Sequence, residues 1–155
     1  MQIFPALLML HLIALVLMAG TTLIDFVQYQ TFWKIFDHQK EQAAGILAAT
    51  AKFPRLIGIG GGLLIITGVG MIALTHGILA EQLWFRIKIV FILLLIGNGT
   101  VNGTRVGVKL RKMITENGPD LADQLPDLKS KLRRFYLVQL GIFLIIIFLS
   151  AYKFN

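Results

Sequence analysis

Four apolar stretches separated by short polar segments dominate the chain. Each is long enough, at about 1.5 Å per helical residue, to cross a hydrocarbon layer roughly 30 Å thick. The pattern predicts spans over about residues 3–28, 55–75, 83–111 and 132–152. A segment over about 39–52 is too polar to cross; it should lie on the membrane surface or prolong the first span. A loop over 117–127, marked by Pro119 and Pro126, leads into the last span. The expected fold is all-α: one domain, residues 1–155, built as a four-helix transmembrane bundle.

Polar side chains are costly in lipid, so those inside spans should face the bundle interior. At helical periodicity His11, Met18, Thr22, Asp25 and Tyr29 share one face of the first span. Trp84, Lys88, Phe91, Leu95, Asn98, Asn102, Arg105 and Lys109 form a stripe along the third, with Arg86 pointing away from it. Tyr136, Gln139, Phe143 and Ser150 are the inward candidates of the fourth. The second span is rich in glycine, and Gly58 and Gly62 should admit a neighbouring helix or a flat ligand. Gly99, Gly103 and Gly107 repeat every four residues on a face beside the polar stripe.

Charge adds an orientation. Hydrophobic residues make up 56% of the chain and charged ones only 15%, which is the balance of a bilayer protein. The net charge of +7 comes from lysines and arginines concentrated in the loop between spans one and two and in the loop between spans three and four. That asymmetry points to lipid rather than nucleic acid, with both long basic loops cytoplasmic and both termini outside. The first apolar stretch has no basic leading segment and no small-residue cleavage site, so it should be retained as a span. With no cysteine, disulfides, thiolate metal sites and thiol catalysis are excluded.

Orientation turns position into depth. His11 should lie about 12 Å from the outer start of its helix, level with Met71, Trp84 and Lys88. Asp25 and Arg105 should meet near the inner boundary, close to Asn98 and Asn102. A structural pair there would relieve two buried charges, and losing one partner would cost about 3–5 kcal/mol. A proton or ion path is the alternative. His11 has three chemistries open to it: interhelical hydrogen bonding, proton carriage, or ligation of a metal or haem. Lys88 and Arg86 would suit haem propionates, Trp84 would supply an aromatic wall, and Met71 could be a second axial ligand.

His11 early in span one, Phe53-Pro54-Arg55-Leu56 opening span two, and Trp84-Phe85-Arg86-Ile87-Lys88 opening span three resemble the HemJ-type membrane proteins. The likeness extends to the wider CopD-like group of small helical membrane proteins. It implies haem b as cofactor, His11 as its ligand, and Trp84 and Lys88 at the catalytic site. The activity that the resemblance implies is oxidation of protoporphyrinogen IX to protoporphyrin IX; for a haem enzyme in the membrane, transfer of electrons to a quinone is the other chemistry expected. The expected location is a bacterial cytoplasmic (inner) membrane. CopD-like relatives are associated with copper handling, but Met9 points away from His11, which leaves a copper site poorly supplied. The competing expectation is a transport or assembly subunit, with Gly99, Gly103 and Gly107 as a seam for partner helices. Either kind of protein could form a homo-oligomer.

Overall fold

The structure is a computed structural model that describes residues 3–116 and 121–152. Its regular elements are helices: α1 (Ile3–Ile35), α2 (Lys40–Ala49), α3 (Phe53–Leu74), α4 (Ile78–Glu81), α5 (Leu83–Asn98), α6 (Arg105–Glu116) and α7 (Leu121–Tyr152). A 3₁₀ turn at Thr50–Lys52 joins α2 to α3, and a π-helical turn at Gly99–Thr104 joins α5 to α6. Four rods result, Ile3–Ile35, Lys40–Leu74, Leu83–Ile114 and Gln124–Tyr152, each long and apolar enough to cross a membrane. The chain is thus an all-helical, four-span membrane bundle. Leu12, Ile13, Val16, Leu23, Ile24 and Val27 of α1 point outward, as an apolar solvent allows.

Several boundaries differ from those predicted. The first span continues past Gln28 to Ile35, because Phe32 and Phe36 are buried in a cluster with Leu110, Leu128, Leu132 and Tyr136. The segment over 39–52 does not prolong it. α2 folds back against α1, burying Ala43, and runs through the 3₁₀ turn into α3. The last helix starts at Leu121, so Pro126 lies inside it. Residues 117–120 of the predicted loop fall outside the described residues. Between the second and third rods, Gly77 takes a φ of 84°, a left-handed conformation that glycine adopts at little cost.

The four rods pack as two pairs. α3 lies along α1, α5 lies along α7, and α1 meets α7 between them, whereas α3 and α5 make at most marginal contact. Close approach of α1 and α3 depends on Gly60. A Cβ there would stand 2.9 Å from the Met18 Cβ and 3.2 Å from the Ala14 carbonyl oxygen. Gly58 and Gly62, expected to make that contact, instead have open space where a Cβ would point. They are turned toward the middle of the bundle.

The π turn decides what α6 presents. Its wider turn holds more residues than an α turn, so everything after it is rotated from the phase a uniform helix would give. The Thr104 hydroxyl donates to the Gly99 carbonyl five residues back, at 3.2 Å. Gly103 allows the bulge to sit against α7, since a Cβ would lie 2.6 Å from the Phe135 ring. The predicted stripe therefore breaks after Asn98: Arg105 and Lys109 are exposed, while Leu110 is buried and Arg111 half-buried.

Gly60→Leu should destabilise the bundle by about 1–3 kcal/mol or more through overpacking. Gly58→Leu should leave stability almost unchanged, and thermal unfolding of both variants in detergent checks the contrast.

Candidate functional site

The gap between the two pairs is a cavity of about 990 Å³ lined by all four rods. That volume is at the upper end of the range for cofactor and ligand pockets. Its lining is mostly apolar, with its ionisable groups gathered toward the two ends. His11, Met71, Trp84 and Lys88 line one end; Asp25, Tyr136 and Arg111 line the other. Ile92, Leu95, Ile96 and Gly99 connect them along one side. The apolar middle of α5 therefore forms the wall of one continuous chamber.

At the first end, His11 Nδ1 lies 2.7 Å from the Thr67 hydroxyl oxygen. That hydroxyl has one proton, and it is directed to the Leu63 carbonyl at 2.6 Å. The contact with His11 can then be made only if Nδ1 carries hydrogen and donates. That bond leaves the lone pair on Nε2, for which the described residues offer no hydrogen-bonding partner. A histidine held by one nitrogen with the other free is the arrangement found in metal-ligating imidazoles. Lys88 is near enough for its charge to act on the ring.

The other predicted residues at this end divide. Trp84 is buried, and its indole N–H donates to the Gln82 side chain one short turn earlier, so the ring is a fixed wall. Met71 lines the cavity half-buried. Arg86 does not line it. Its Nε donates to the Ala80 carbonyl at 3.1 Å on the exposed side of the α4–α5 turn. Of the two cations expected to face a propionate, the cavity has Lys88 alone.

The opposite end corrects the proposed ion pair. Asp25 accepts a hydrogen bond from the Tyr136 hydroxyl at 2.8 Å, and the cation whose field reaches it is Arg111. Arg105 is exposed and makes no ion pair with Asp25, because the π turn rotates it out of the bundle. Arg111 takes its place, donating to the Thr50 carbonyl at 3.0 Å and so tying α6 to the turn before α3. Asn98 donates to the Phe135 carbonyl at 3.2 Å and to Gln139 Oε1 at 2.9 Å. Asn102 is exposed but donates to Asn98 Oδ1 at 3.0 Å. These amides belong to the anchorage of the π turn rather than to an ion pair. Gly99, Gly103 and Gly107 face the cavity, not an outer seam for partner helices.

Tyr136, Gln139, Phe143 and Ser150 all line the cavity, as their periodicity on the fourth span implies. Thr67 is not among the residues that the sequence pattern singles out, although a lone hydroxyl within a glycine and isoleucine helix is itself a signal. Arg111 had no such signal, since its direction depends on the π turn. Among the described residues no cluster of three or more histidine and carboxylate groups could hold a metal ion. In comparison with known proteins, the chain matches no family model, no curated protein and no solved structure.

A double-mutant cycle should find Asp25→Asn and Tyr136→Phe coupled by about 0.5–3 kcal/mol. The same cycle between Asp25→Asn and Arg105→Gln should be additive within about 0.5 kcal/mol, measured by denaturation in detergent.

Proposed function

We propose that the chamber binds one b-type haem through His11 Nε2, in the end closed by Trp84 and Lys88. The observation that carries this reading is the hydrogen bond from His11 Nδ1 to Thr67, which leaves Nε2 as the available donor atom in an apolar cavity. The residues fit the group in three respects. Thr67 orients the imidazole, Lys88 supplies a cation for a propionate, and the apolar lining excludes water from a macrocycle. Met71 stands on the same cavity surface as a candidate second ligand. The resemblance to HemJ-type proteins extends the reading to an oxidoreductase acting on protoporphyrinogen IX, with Trp84 and Lys88 contacting the substrate.

When bound, haem supplies one-electron chemistry that no side chain here can provide. This chain's residues do the rest: Thr67 holds the proton on Nδ1, and Lys88 draws carboxylates to its end of the cavity. By the positive-inside rule, the exposed Lys52, Arg55, Arg105 and Lys112 face the cytoplasm, and the His11 end faces out. The small four-span architecture suits a bacterial cytoplasmic membrane. One observation favours a second reading. The chamber is continuous from His11 to the Asp25–Tyr136 pair, which would also serve proton or ion transport.

Protein purified from haem-replete cells should be red, with a Soret band that shifts on reduction. His11→Ala should lose the band, and Thr67→Val should weaken haem affinity about 10–100-fold, as when the hydrogen-bond partner of a ligating histidine is removed. A colourless wild-type protein that does not take up added haem would favour the transport reading.

A further inference from the structure

Gln139 is only 2% exposed, yet it lines the chamber near mid-depth. The direction of its amide is fixed by its neighbours. The Phe135 carbonyl can only accept, so the Asn98 atom facing it is Nδ2. The second Nδ2 hydrogen then goes to Gln139, whose facing atom must be Oε1. Nε2 is left on the far side, toward the π turn, where it lies 3.8 Å from the place a Gly99 Cβ would occupy. Among the described residues nothing accepts from it. The residue is buried, but its amide nitrogen borders the cavity, with two hydrogens for which a ligand could supply the acceptor.

The space beside it is flat-walled. On α3, Gly58 and Gly62 line the cavity with nothing within 4 Å of a built Cβ. The contacts with α1 set their depth. Gly60 packs on Ala14 and Met18, Gly70 on Leu7, and His11 meets Thr67, so Gly58 comes level with about Ala19 and Gly62 with about Leu15, while the bond from Tyr136 to Asp25 puts Gln139 about level with Thr22. Gly58 therefore stands within about one turn of the Gln139 amide, Gly62 lies one turn farther toward His11, and His11 itself meets α3 at Thr67 and Gly68. Because α3 and α5 barely touch, this slot can be reached sideways from the bilayer.

We infer that the slot between Gly58 and Gly62 on one wall and Gly99 on the other, with Gln139 Nε2 as donor, binds the carbonyl-bearing ring of a membrane quinone. A flat ring fits walls without side chains, and a ring carbonyl is the acceptor the amide lacks. A prenyl tail extends into lipid through the opening between α3 and α5. A phospholipid head would need a cation at this depth, and the lysine and arginine lining the chamber, Lys88 and Arg111, stand toward its two ends. The inference deepens the redox reading by giving its electron acceptor a place, but its geometry does not involve His11.

The test is calorimetric titration of a decyl-substituted benzoquinone into the purified protein in lipid nanodiscs, with the Soret band recorded on the same samples. Wild type should bind saturably, and Gln139→Leu should weaken binding about tenfold, the cost of one lost hydrogen bond. Gly62→Leu, which fills the slot without touching the amide network, should weaken it at least as much. Arg105→Gln, an exposed change, should bind as wild type does. Absence of saturable binding by wild type, or unaltered binding by both Gln139→Leu and Gly62→Leu, overturns the assignment. Colourless protein that still binds quinone through Gln139 supports the slot and overturns the haem reading alone.

Discussion

The side chain of Asn98 makes the contact on which the rest of the bundle depends. Backbone that leaves the α-helical pattern inside a bilayer must find hydrogen-bonding partners in the protein, because lipid offers none. The π turn at Gly99–Thr104 meets that demand with its own threonine and with the amides that lock its start onto α7. Gly103 lets the bulge approach Phe135 closely enough for this to work. The result is a helix whose two halves present different faces. α5 turns Trp84 and Lys88 inward, and α6 turns Arg111 inward and Arg105 outward.

That change of phase, together with the pairing of α1 with α3 and α5 with α7, produces the chamber. Gly60 draws one pair together and Phe135 packs on the bulge in the other. The aromatic cluster of Phe32, Phe36 and Tyr136 closes one end below Asp25. Nothing comparable joins α3 to α5, so the space between them remains. Glycines on both sides keep it open, which is why Gly58, Gly62 and Gly99 add nothing to helix packing there.

The chamber has distinct chemistry along its length. At one end a histidine has a fixed tautomer and a free nitrogen beside a lysine. In the middle a buried amide lacks an acceptor. At the other end a carboxyl and a phenol share a hydrogen bond within the field of an arginine. A macrocycle at the first and a quinone ring at the second would lie in one apolar enclosure, an arrangement suited to moving electrons between membrane-dissolved partners.

Hydropathy alone determined that four helices cross a membrane, because the thickness of the hydrocarbon layer imposes a length and the absence of water imposes the helix. Periodicity also put His11, Asp25, Tyr136 and Gln139 on inward faces, since each lies on a helix that stays α-helical throughout its span. The partners of these groups were not legible. Thr67 reaches His11 from another helix, and the register between α1 and α3 comes from the fit of Gly60 on Met18, which no single-helix pattern contains. A uniform 100° per residue pairs Asp25 with Arg105, and only the three-dimensional fold shows the π turn that brings Arg111 to it instead. Long-range pairing was decided by helix phase and register, and both depend on contacts between helices rather than on the order of residues within one.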